Sequence, residues 1–364
     1  MTINDILKIF EESAPFIYQE SYDNSGLQLG DHSDEINGAL LTIDVTEEII
    51  SEAIKKGMNL IISHHPLIFS GIKRISEKTS TERIIRRAIR EGINIISLHT
   101  NIDNSSEGVN SKICEKLSLK KTRILQPAEG KLLKLSVFVP ESHVEIVRES
   151  LFSAGAGVIG DYDFCSFNTK GTGTFRGSET TNPFTGKKGV LHFENEVKVE
   201  TILPIHLKEK VVKSLLNAHP YEEVAYDLYP LVNQFVKAGA GMTGVFDKAM
   251  DETDFLNFLK KTFNSPFIRH TPLSGKKIRK VAVCGGSGIF LLKNAISEEA
   301  DAFVTGDVKY HQFFEADGKI LLVDVGHYES EQFTKELFYE LLKKKLPNFA
   351  LHLSEVNTNP INYI

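Results

Sequence analysis

Three runs of apolar residues alternate with two helical patterns in the first third of the chain. The runs are GALLTID (38–44), NLIISHH (59–65) and INIISLH (93–99). Between them, TEEIISEAIKKG (46–57) and STERIIRRAIREG (80–92) place apolar residues three and four positions apart, which is typical of amphipathic helices. Strands that are apolar throughout and separated by helices predict a largely parallel sheet that is covered on both faces.

The last third of the chain repeats this arrangement. Its apolar runs are RKVAVCGG (279–286), DAFVTGDV (301–308) and ILLVDVG (320–326), with helices predicted near 289–299 and 328–345. We therefore expect the first and last thirds to be two halves of one α/β domain, built on a single, mostly parallel sheet.

The middle third has a different order of elements, β-α-β-β-α-β, which is the order of ferredoxin-like domains. The segments that carry it are KLLKLSVFVP, a helix near 142–154, DYDFCSFNTKGTGTF, VKVETILP, a helix near 207–218 and VAYDLYPL. The glycine, threonine and asparagine content of residues 168–189 predicts a long exposed loop within this module. We expect an inserted ferredoxin-like α+β domain at 127–237, between the two halves of the host domain at 1–126 and 238–364.

Composition and charge argue against several classes of protein. The chain has 364 residues and a formal net charge of −6, which argues against a surface built for nucleic-acid backbones. Its first residues, MTINDILKIFEESAPF, form an acid-bearing amphipathic pattern rather than a signal peptide, and no apolar run reaches the ~18 residues of a membrane span. Cys114, Cys165 and Cys284 are far apart and form no zinc-like pair or disulfide framework, which predicts a reduced cytoplasmic protein.

Side chains that bind metals follow three of the apolar runs, and ligands of parallel sheets gather beyond the carboxyl ends of the strands. The residues are His64 and His65 after the run at 59–65, His99 and Asp103 after the run at 93–99, and His327 and Glu331 after the run at 320–326. If a helix begins at about His327, the i, i+4 spacing puts Glu331 on the same helix face. Imidazole and carboxylate are ligands that zinc, iron and manganese prefer in catalytic sites.

Even without His99, three imidazoles and two carboxylates are too many ligands for one four-coordinate ion with an open position. They suit a pair of ions roughly 3.5–4 Å apart, and the diverging side chains of His64 and His65 can face different ions. Each cluster alone has an ordinary alternative: a hydrogen-bonded core histidine, a turn at HTNID, or a solvated pair for HxxxE. The three clusters at strand ends of one sheet favour a metal site.

Several stretches together resemble the Nif-three-like family, whose members are often named GTP cyclohydrolase 1 type 2 homologs. They are DNSGLQLG (23–30), TIDVT (42–46), SHHPLIF (63–69), SLHTNID (97–103), VAVCGGSG (281–288), TGDVKYHQ (305–312) and VDVGHYESE (323–331). The resemblance covers essentially residues 1–125 and 238–364. The middle third is similar to a module of the longer bacterial members, which itself resembles P-II signalling and divalent-cation-tolerance proteins.

This resemblance implies a dinuclear metal centre and a toroidal homohexamer. It implies metal ligands at His64, His65, Asp103, His327 and Glu331, with His64 and His65 each holding one of two divalent ions. Zinc is the first expectation for both ions, and iron and manganese also suit the ligands.

Other residues near these motifs have two readings each. His99 is a candidate acid/base or hydrogen-bond partner of a ligand, or a structural histidine. Asp44 either orients a ligand imidazole or caps the helix at 46, and GGSG (285–288) either offers backbone N–H groups to an anion or forms a tight turn. Asp307 and His311 are a second i, i+4 pair, lining the pocket or lying on the surface. The chain has no GxxxxGK[ST], so GTP would have no P-loop to bind.

Three functions compete on this evidence. The first is a metal-dependent hydrolase, for which the family name suggests GTP cyclohydrolase activity although nothing in the sequence identifies a guanine pocket. The second is a non-enzymatic metal-binding regulator or metal-handling protein, whose inserted domain senses a small-molecule ligand or a partner. The third is nucleic-acid binding through the ring, and the acidic balance makes it the weakest.

Overall fold

The computed structural model describes residues 1–362 and 364, which form two compact units. The first unit combines residues 1–127 with 236–364, and the second unit comprises residues 128–235. No helix in this described part is both long enough and apolar enough to cross a membrane. The three cysteines are free thiols.

The strands vary widely in length, from two residues to seventeen. In chain order they are β1 (Gly26–Leu29), β2 (Gly38–Thr42), β3 (Leu60–Ser63), β4 (Asn94–Ser97), β5 (Lys120–Ala128), β6 (Leu132–Pro140), β7 (Ser166–Phe175), β8 (His192–Pro204), β9 (Tyr226–Leu231), β10 (Phe235–Asp251), β11 (Arg269–His270), β12 (Lys277–Val283), β13 (Ala302–Thr305), β14 (Leu321–Asp324) and β15 (Ala350–Leu353).

Helices connect most of these strands. They are α1 (Ile3–Ser13), α2 (Glu47–Lys55), α3 (Ser80–Arg90), α4 (Thr100–Asp103), α5 (Val109–Lys116), α6 (Val144–Ser153), α7 (Lys208–Ala218), α8 (Glu252–Thr262), α9 (Leu292–Ser297), α10 (His327–Glu331) and α11 (Thr334–Lys345). Short 3₁₀ turns occur at Phe16–Tyr18, Glu141–His143, Ile205–Leu207, Ile289–Leu291 and Tyr310–Ala316.

The first unit contains two sheets, so the expectation of a single sheet was wrong. One sheet has the strand order β1-β4-β3-β2-β15, and the other has the order β11-β14-β13-β12-β10-β5. A strand that is apolar throughout shows only that both of its faces are buried. It does not show which other strand it pairs with. The sequence alone therefore could not tell whether these strands form one sheet or two.

In the five-stranded sheet, the central strands run parallel and end at the same level. Thr42 of β2 is in register with Ser63 of β3, which is in register with Ser97 of β4. The residues that follow β3 and β4 therefore leave the sheet side by side. These segments carry the first two clusters of candidate metal ligands.

The six-stranded sheet has a parallel centre and antiparallel flanks. Strands β12, β13 and β14 are parallel, while β11 and β10 pair with them in the opposite direction. At the carboxyl edge, Thr305 of β13 is in register with Asp324 of β14. The segment after β14 carries the third cluster, so the clusters come from two sheets.

Side-chain alternation divides the core of the first unit into layers. Leu41 of β2 and Val304 of β13 belong to one large apolar core that includes both sheets, whereas Leu40 of β2 faces a separate core with α2 and α3. Thr46 begins α2 by accepting a hydrogen bond from the Ile49 N–H, as expected of an N-cap threonine. The two faces of the five-stranded sheet are thus covered by two different apolar cores.

The single helix predicted at 328–345 is two helices in the structure, α10 and α11. The break lies after α10, where the side chain of Gln332 donates hydrogen bonds to the carbonyl oxygens of Glu329 and Phe263. The short first helix begins at His327, as the sequence pattern required for its i, i+4 pair.

The second unit is a four-stranded antiparallel sheet with the order β7-β8-β6-β9. Helices α6 and α7 supply Val147, Leu151, Val211 and Leu215 to its own apolar core. The loop predicted at 168–189 was wrong in its first part, because residues 168–175 pair with β8 along the whole of β7. Backbone pairing with β8 outweighs the turn-forming composition of this segment.

The chain leaves and re-enters the first unit at neighbouring points. Strand β10 lies next to β5 in the six-stranded sheet. Gly239 packs so closely on this neighbour that a Cβ atom there would lie 2.1 Å from the carbonyl oxygen of Gln126. A short connection is therefore able to join the two segments.

We expect replacement of residues 128–235 by a short Gly/Ser linker to leave the first unit folded, because the joined ends are adjacent and the second unit has a separate core. Circular dichroism should show one cooperative thermal transition, and elemental analysis should show the metal content of the full chain. A folded deletion variant that cannot be loaded with metal would contradict this division and direct attention to His206 and His219.

Candidate metal centre

The three clusters that the sequence analysis identified lie together in the first unit. His64 and His65 directly follow β3, Asp103 ends α4 after β4, and α10 carries His327 and Glu331 after β14. Their polar atoms form groups in which all members lie within 4.8 Å of one another. The two sheets thus bring side chains from three distant segments to one point.

Each imidazole of the cluster is fixed through its Nδ1 atom by an acceptor oxygen. The pairs are His64 with the Leu98 carbonyl at 2.8 Å, and His65 with Asp44, His99 with Asp23 and His327 with Asp307, each at 2.7 Å. A carbonyl or carboxylate oxygen only accepts, so Nδ1–H is the donor in every pair. In each neutral ring the lone pair is therefore on Nε2, which is the arrangement typical of metal-ligating histidines.

The Nε2 atoms converge on the carboxylate of Glu331. Its Oε2 atom lies 3.0 Å from Nε2 of both His65 and His327, and its Oε1 atom lies 3.5 Å from Nε2 of His64. Nε2 of His64 also lies 3.7 Å from Oδ1 of Asp103. Ligand-type atoms of five residues therefore surround a common small volume.

With the imidazoles neutral and protonated only on Nδ1, three atoms at the centre of this cluster are buried without a hydrogen-bond partner. They are Nε2 of His64, Oδ1 of Asp103 and Oε2 of Glu331. A buried polar atom without a partner costs free energy, and native structures rarely keep several together. A cation among these atoms would satisfy all three, so the residues fit a metal site.

The electrostatics of the cluster favour positive charge next to Glu331. Burial opposes protonation of His65 and His327, but Glu331, with Asp44 and Asp307, raises their pKa values to about 10 and about 9. Burial also acts to raise the pKa of Glu331, yet the imidazoles hold it well below its usual range. Burial raises the pKa of Asp103 to about 7. A metal cation would replace protons at such a site.

The turn GGSG packs against Glu331 and makes room for it. A Cβ atom at Gly286, where φ is +60°, would lie 2.2 Å from Oε1 of Glu331. The N–H of Gly285 donates to Asn110, and the N–H of Gly286 donates to Ser330. The anion-binding reading of these two N–H groups was therefore wrong, because both already have partners.

The structure separates the two readings of Asp44. Asp44 orients His65, while Thr46 caps the helix, so the orienting role is the observed one.

Asp307 and His311 do not act as a pair. Asp307 accepts the hydrogen bond from His327, whereas His311 is exposed and packs on Tyr310 and Phe314. A positive φ of 55° at Asp307 ends the extended chain there, so the i, i+4 spacing of a helix does not apply.

Asp23 is the residue of the site to which sequence reasoning gave no role. It accepts hydrogen bonds from His99 and from both the N–H and the hydroxyl group of Thr100. These donors outweigh burial and hold the pKa of Asp23 below its usual range. The only sequence signal was an acid in the turn-like stretch DNSG, far along the chain from His99.

Known proteins resemble this chain over nearly its full length. A family model described as Duf34/NIF3 (NGG1p interacting factor 3) matches residues 1–360. A Halalkalibacterium halodurans protein named GTP cyclohydrolase 1 type 2 homolog is 42% identical, covering 99% of this chain and 98% of that protein. A Bacillus subtilis protein of the same name is 36% identical, covering 99% and 98%. The crystal structure of a Bacillus cereus protein related to NIF3 matches with a TM-score of 0.86 at 37% identity, covering 100% of this chain and 99% of that chain.

We expect Glu331→Gln to lower the metal content of the protein far more than Glu329→Gln. Both glutamates are buried in α10, but Glu329 accepts a hydrogen bond from Asn359 and is absent from the metal-binding groups. Elemental analysis of both purified variants measures the difference, and thermal unfolding checks that each is folded. Equal metal loss in the two folded variants would contradict the assignment of Glu331.

Proposed function

We propose that this chain, which belongs to the Duf34/NIF3 family, holds two divalent metal ions and uses them as a metal-dependent hydrolase. The observation that carries the metal site is the convergence of anchored imidazoles on a buried carboxylate whose Oε2 atom has no hydrogen-bond partner. The family membership supports the hydrolase part of this proposal, because relatives that match over nearly the full chain are named GTP cyclohydrolase 1 type 2 homolog.

The geometry suggests how two ions divide the ligands. One group of mutually close atoms belongs to His64, Asp103 and Glu331, and a second belongs to His65, His327 and Glu331. Each group would hold one ion, and Glu331 belongs to both groups, with its two oxygens lying near different histidines. The adjacent residues His64 and His65 would thus serve different ions.

Nitrogen and oxygen donors of this kind suit zinc, with iron and manganese as alternatives. When bound, two such ions lower the pKa of a water and stabilise negative charge that develops on a substrate oxygen. The protein supplies the fixed Nε2 positions and the carboxylates, and both His65 and His327 keep part of their side chains exposed, 25% and 33%. A substrate can therefore reach the site.

His99 is our candidate for proton transfer. Its Nδ1–H donates to Asp23, and its ring lies 5.4 Å and 5.5 Å from the rings of His64 and His65. Asp23 fixes the tautomer, so Nε2 of His99 is the atom that accepts or returns a proton. His99 forms a third group of mutually close atoms with His64 and His65, but it belongs to neither of the two groups that contain Glu331.

We propose that the second unit is an inserted ferredoxin-like domain. Its order β7-β8-β6-β9, with antiparallel neighbours and one helix after β6 and another after β8, supports this proposal. The host domain would then be the first unit, residues 1–127 and 236–364, whose bounds differ by at most two residues from the 1–126 and 238–364 of the sequence prediction.

We expect metal-replete protein to contain about two ions per chain and to hydrolyse at least one member of a panel of phosphoesters, cyclic amides and purine nucleotides. Chelation should abolish turnover.

His99→Gln should keep both ions and lower turnover by about 10²-fold or more, the usual contribution of an acid/base.

Elemental analysis and steady-state kinetics test these expectations separately. At most one ion per chain would remove the two-metal assignment. Two ions without turnover on any substrate would favour the alternative, a non-enzymatic metal-handling protein.

A toroidal homohexamer is the assembly that the family resemblance implies, and closed symmetry is the general rule for such oligomers. We expect light scattering coupled to size exclusion to give a mass near six times that of the 40.7 kDa chain. A monomer mass over a wide range of concentrations would contradict this assembly.

A further inference from the structure

The second unit contains a cavity of about 450 Å³ that is separate from the metal-binding groups. The sheet positions in its lining include Phe138 of β6 and Glu196 of β8. Their neighbours Val137, Val139 and Val197 belong to the helix-covered core, so alternation along each strand points Phe138 and Glu196 to the opposite face. The cavity therefore lies on the sheet face that the helices leave free.

Aromatic rings form the walls of this cavity. The ring of Tyr221 lies 6.1 Å from the ring of Phe175 and 6.2 Å from the ring of Phe184, with interplanar angles of 57° and 45°. Phe138 also contributes to the lining. An aromatic ring carries negative potential over its faces and positive potential at its edge, so a wall rich in such rings offers faces that can attract a cation.

A buried carboxylate forms part of the same lining. Glu196 is only 8% exposed, and its Oε1 atom accepts a hydrogen bond of 2.9 Å from the Tyr221 hydroxyl group. Its Oε2 atom accepts no hydrogen bond and forms no ion pair within the described residues. This oxygen is not among the fully buried atoms without a partner, so solvent in the cavity hydrates it. A ligand that displaces this water has to supply a positive charge or a donor in its place.

The missing side chain of Gly173 leaves room for this carboxylate. A Cβ atom at Gly173 would lie 2.0 Å from Oε2 of Glu196, so any larger residue would displace the carboxylate. Across the strand pair, Gly173 is in register with Glu194, two residues before Glu196. The threonine-glycine composition of β7 thus has a structural use at this cavity.

The charge of the lining is negative overall. Glu222 and Glu223 join Glu196, whereas Arg176 is the one lysine or arginine of the lining. Both oxygens of Glu222 accept from the N–H of Asn182, at 2.8 Å and 3.0 Å, which ties the 176–191 loop to the cavity wall. The loop that carries Phe184 is thereby held over the site.

We propose that this cavity binds a small organic cation, with an ammonium or guanidinium group placed between the aromatic rings and Glu196. Aromatic faces attract such cations, and the effect is stronger when the cation is desolvated. An anion would meet three carboxylates, and a neutral apolar ligand would leave Glu196 uncompensated. The volume lies within the range of sites for small molecules.

The test compares choline with its uncharged carbon isostere, 3,3-dimethylbutan-1-ol, by ligand-observed NMR titration of the full chain. Agmatine serves as a second probe, which presents ammonium and guanidinium groups. We expect at least one of the two cations to bind saturably, and choline, if it is that cation, to bind about 10-fold or more tightly than its isostere. Chelation of metals should leave this binding unchanged, because the cavity contains no residue of the metal-binding groups.

Matched variants locate the binding. Glu196→Gln keeps the shape of the side chain but removes its charge, and it should weaken cation binding about 10-fold or more. Glu200→Gln is its control, because Glu200 faces the same side of β8 but lies outside the cavity lining. Tyr221→Leu should weaken binding, whereas Tyr229→Leu on β9 should not.

Three results would overturn the proposal. One is the absence of saturable binding of both cations up to about 10 mM, the concentration range of a weak site. Another is equal weakening by Glu196→Gln and Glu200→Gln in variants whose thermal unfolding matches that of the original chain. Equal affinity for choline and its isostere would likewise reject recognition by charge.

Discussion

The buried carboxylate of Glu331 is the constraint on which the histidine and carboxylate cluster depends. A carboxylate removed from water is stable only next to positive charge or hydrogen-bond donors. Three imidazoles from two different sheets surround it, and the turn at Gly286 leaves no room for a side chain beside it. The imidazoles hold the pKa of Glu331 low, and Glu331 in turn helps to raise the pKa values of His65 and His327.

A second set of residues makes the cluster rigid without entering it. Asp44, Asp23 and Asp307 each accept the Nδ1–H of one histidine, and the carbonyl of Leu98 does the same for a fourth. Fixing Nδ1 in this way determines both the tautomer and the direction of each ring. The acceptors come from separate segments of the chain, so the tertiary fold sets the orientation of each ring.

The second unit uses the same physical principle with a different partner. Glu196 is buried like Glu331, and a glycine makes space for each carboxylate. Aromatic rings rather than imidazoles surround Glu196, which favours an organic cation over a metal ion. In each unit, a buried negative charge that the chain compensates only in part indicates what the site is built to accept.

The sequence alone determined the elements and the ligand types. Apolar runs bounded by polar residues gave β2, β3 and β4, and the i, i+4 spacing of His327 and Glu331 predicted the face that α10 presents. The sequence did not determine how many sheets the strands form, because burial on both faces of a strand does not specify the strand it pairs with. It also could not assign Asp23 to His99, which lies 76 residues further along the chain. Such long-range pairs depend on how the folded chain closes on itself, and only the tertiary structure decides that.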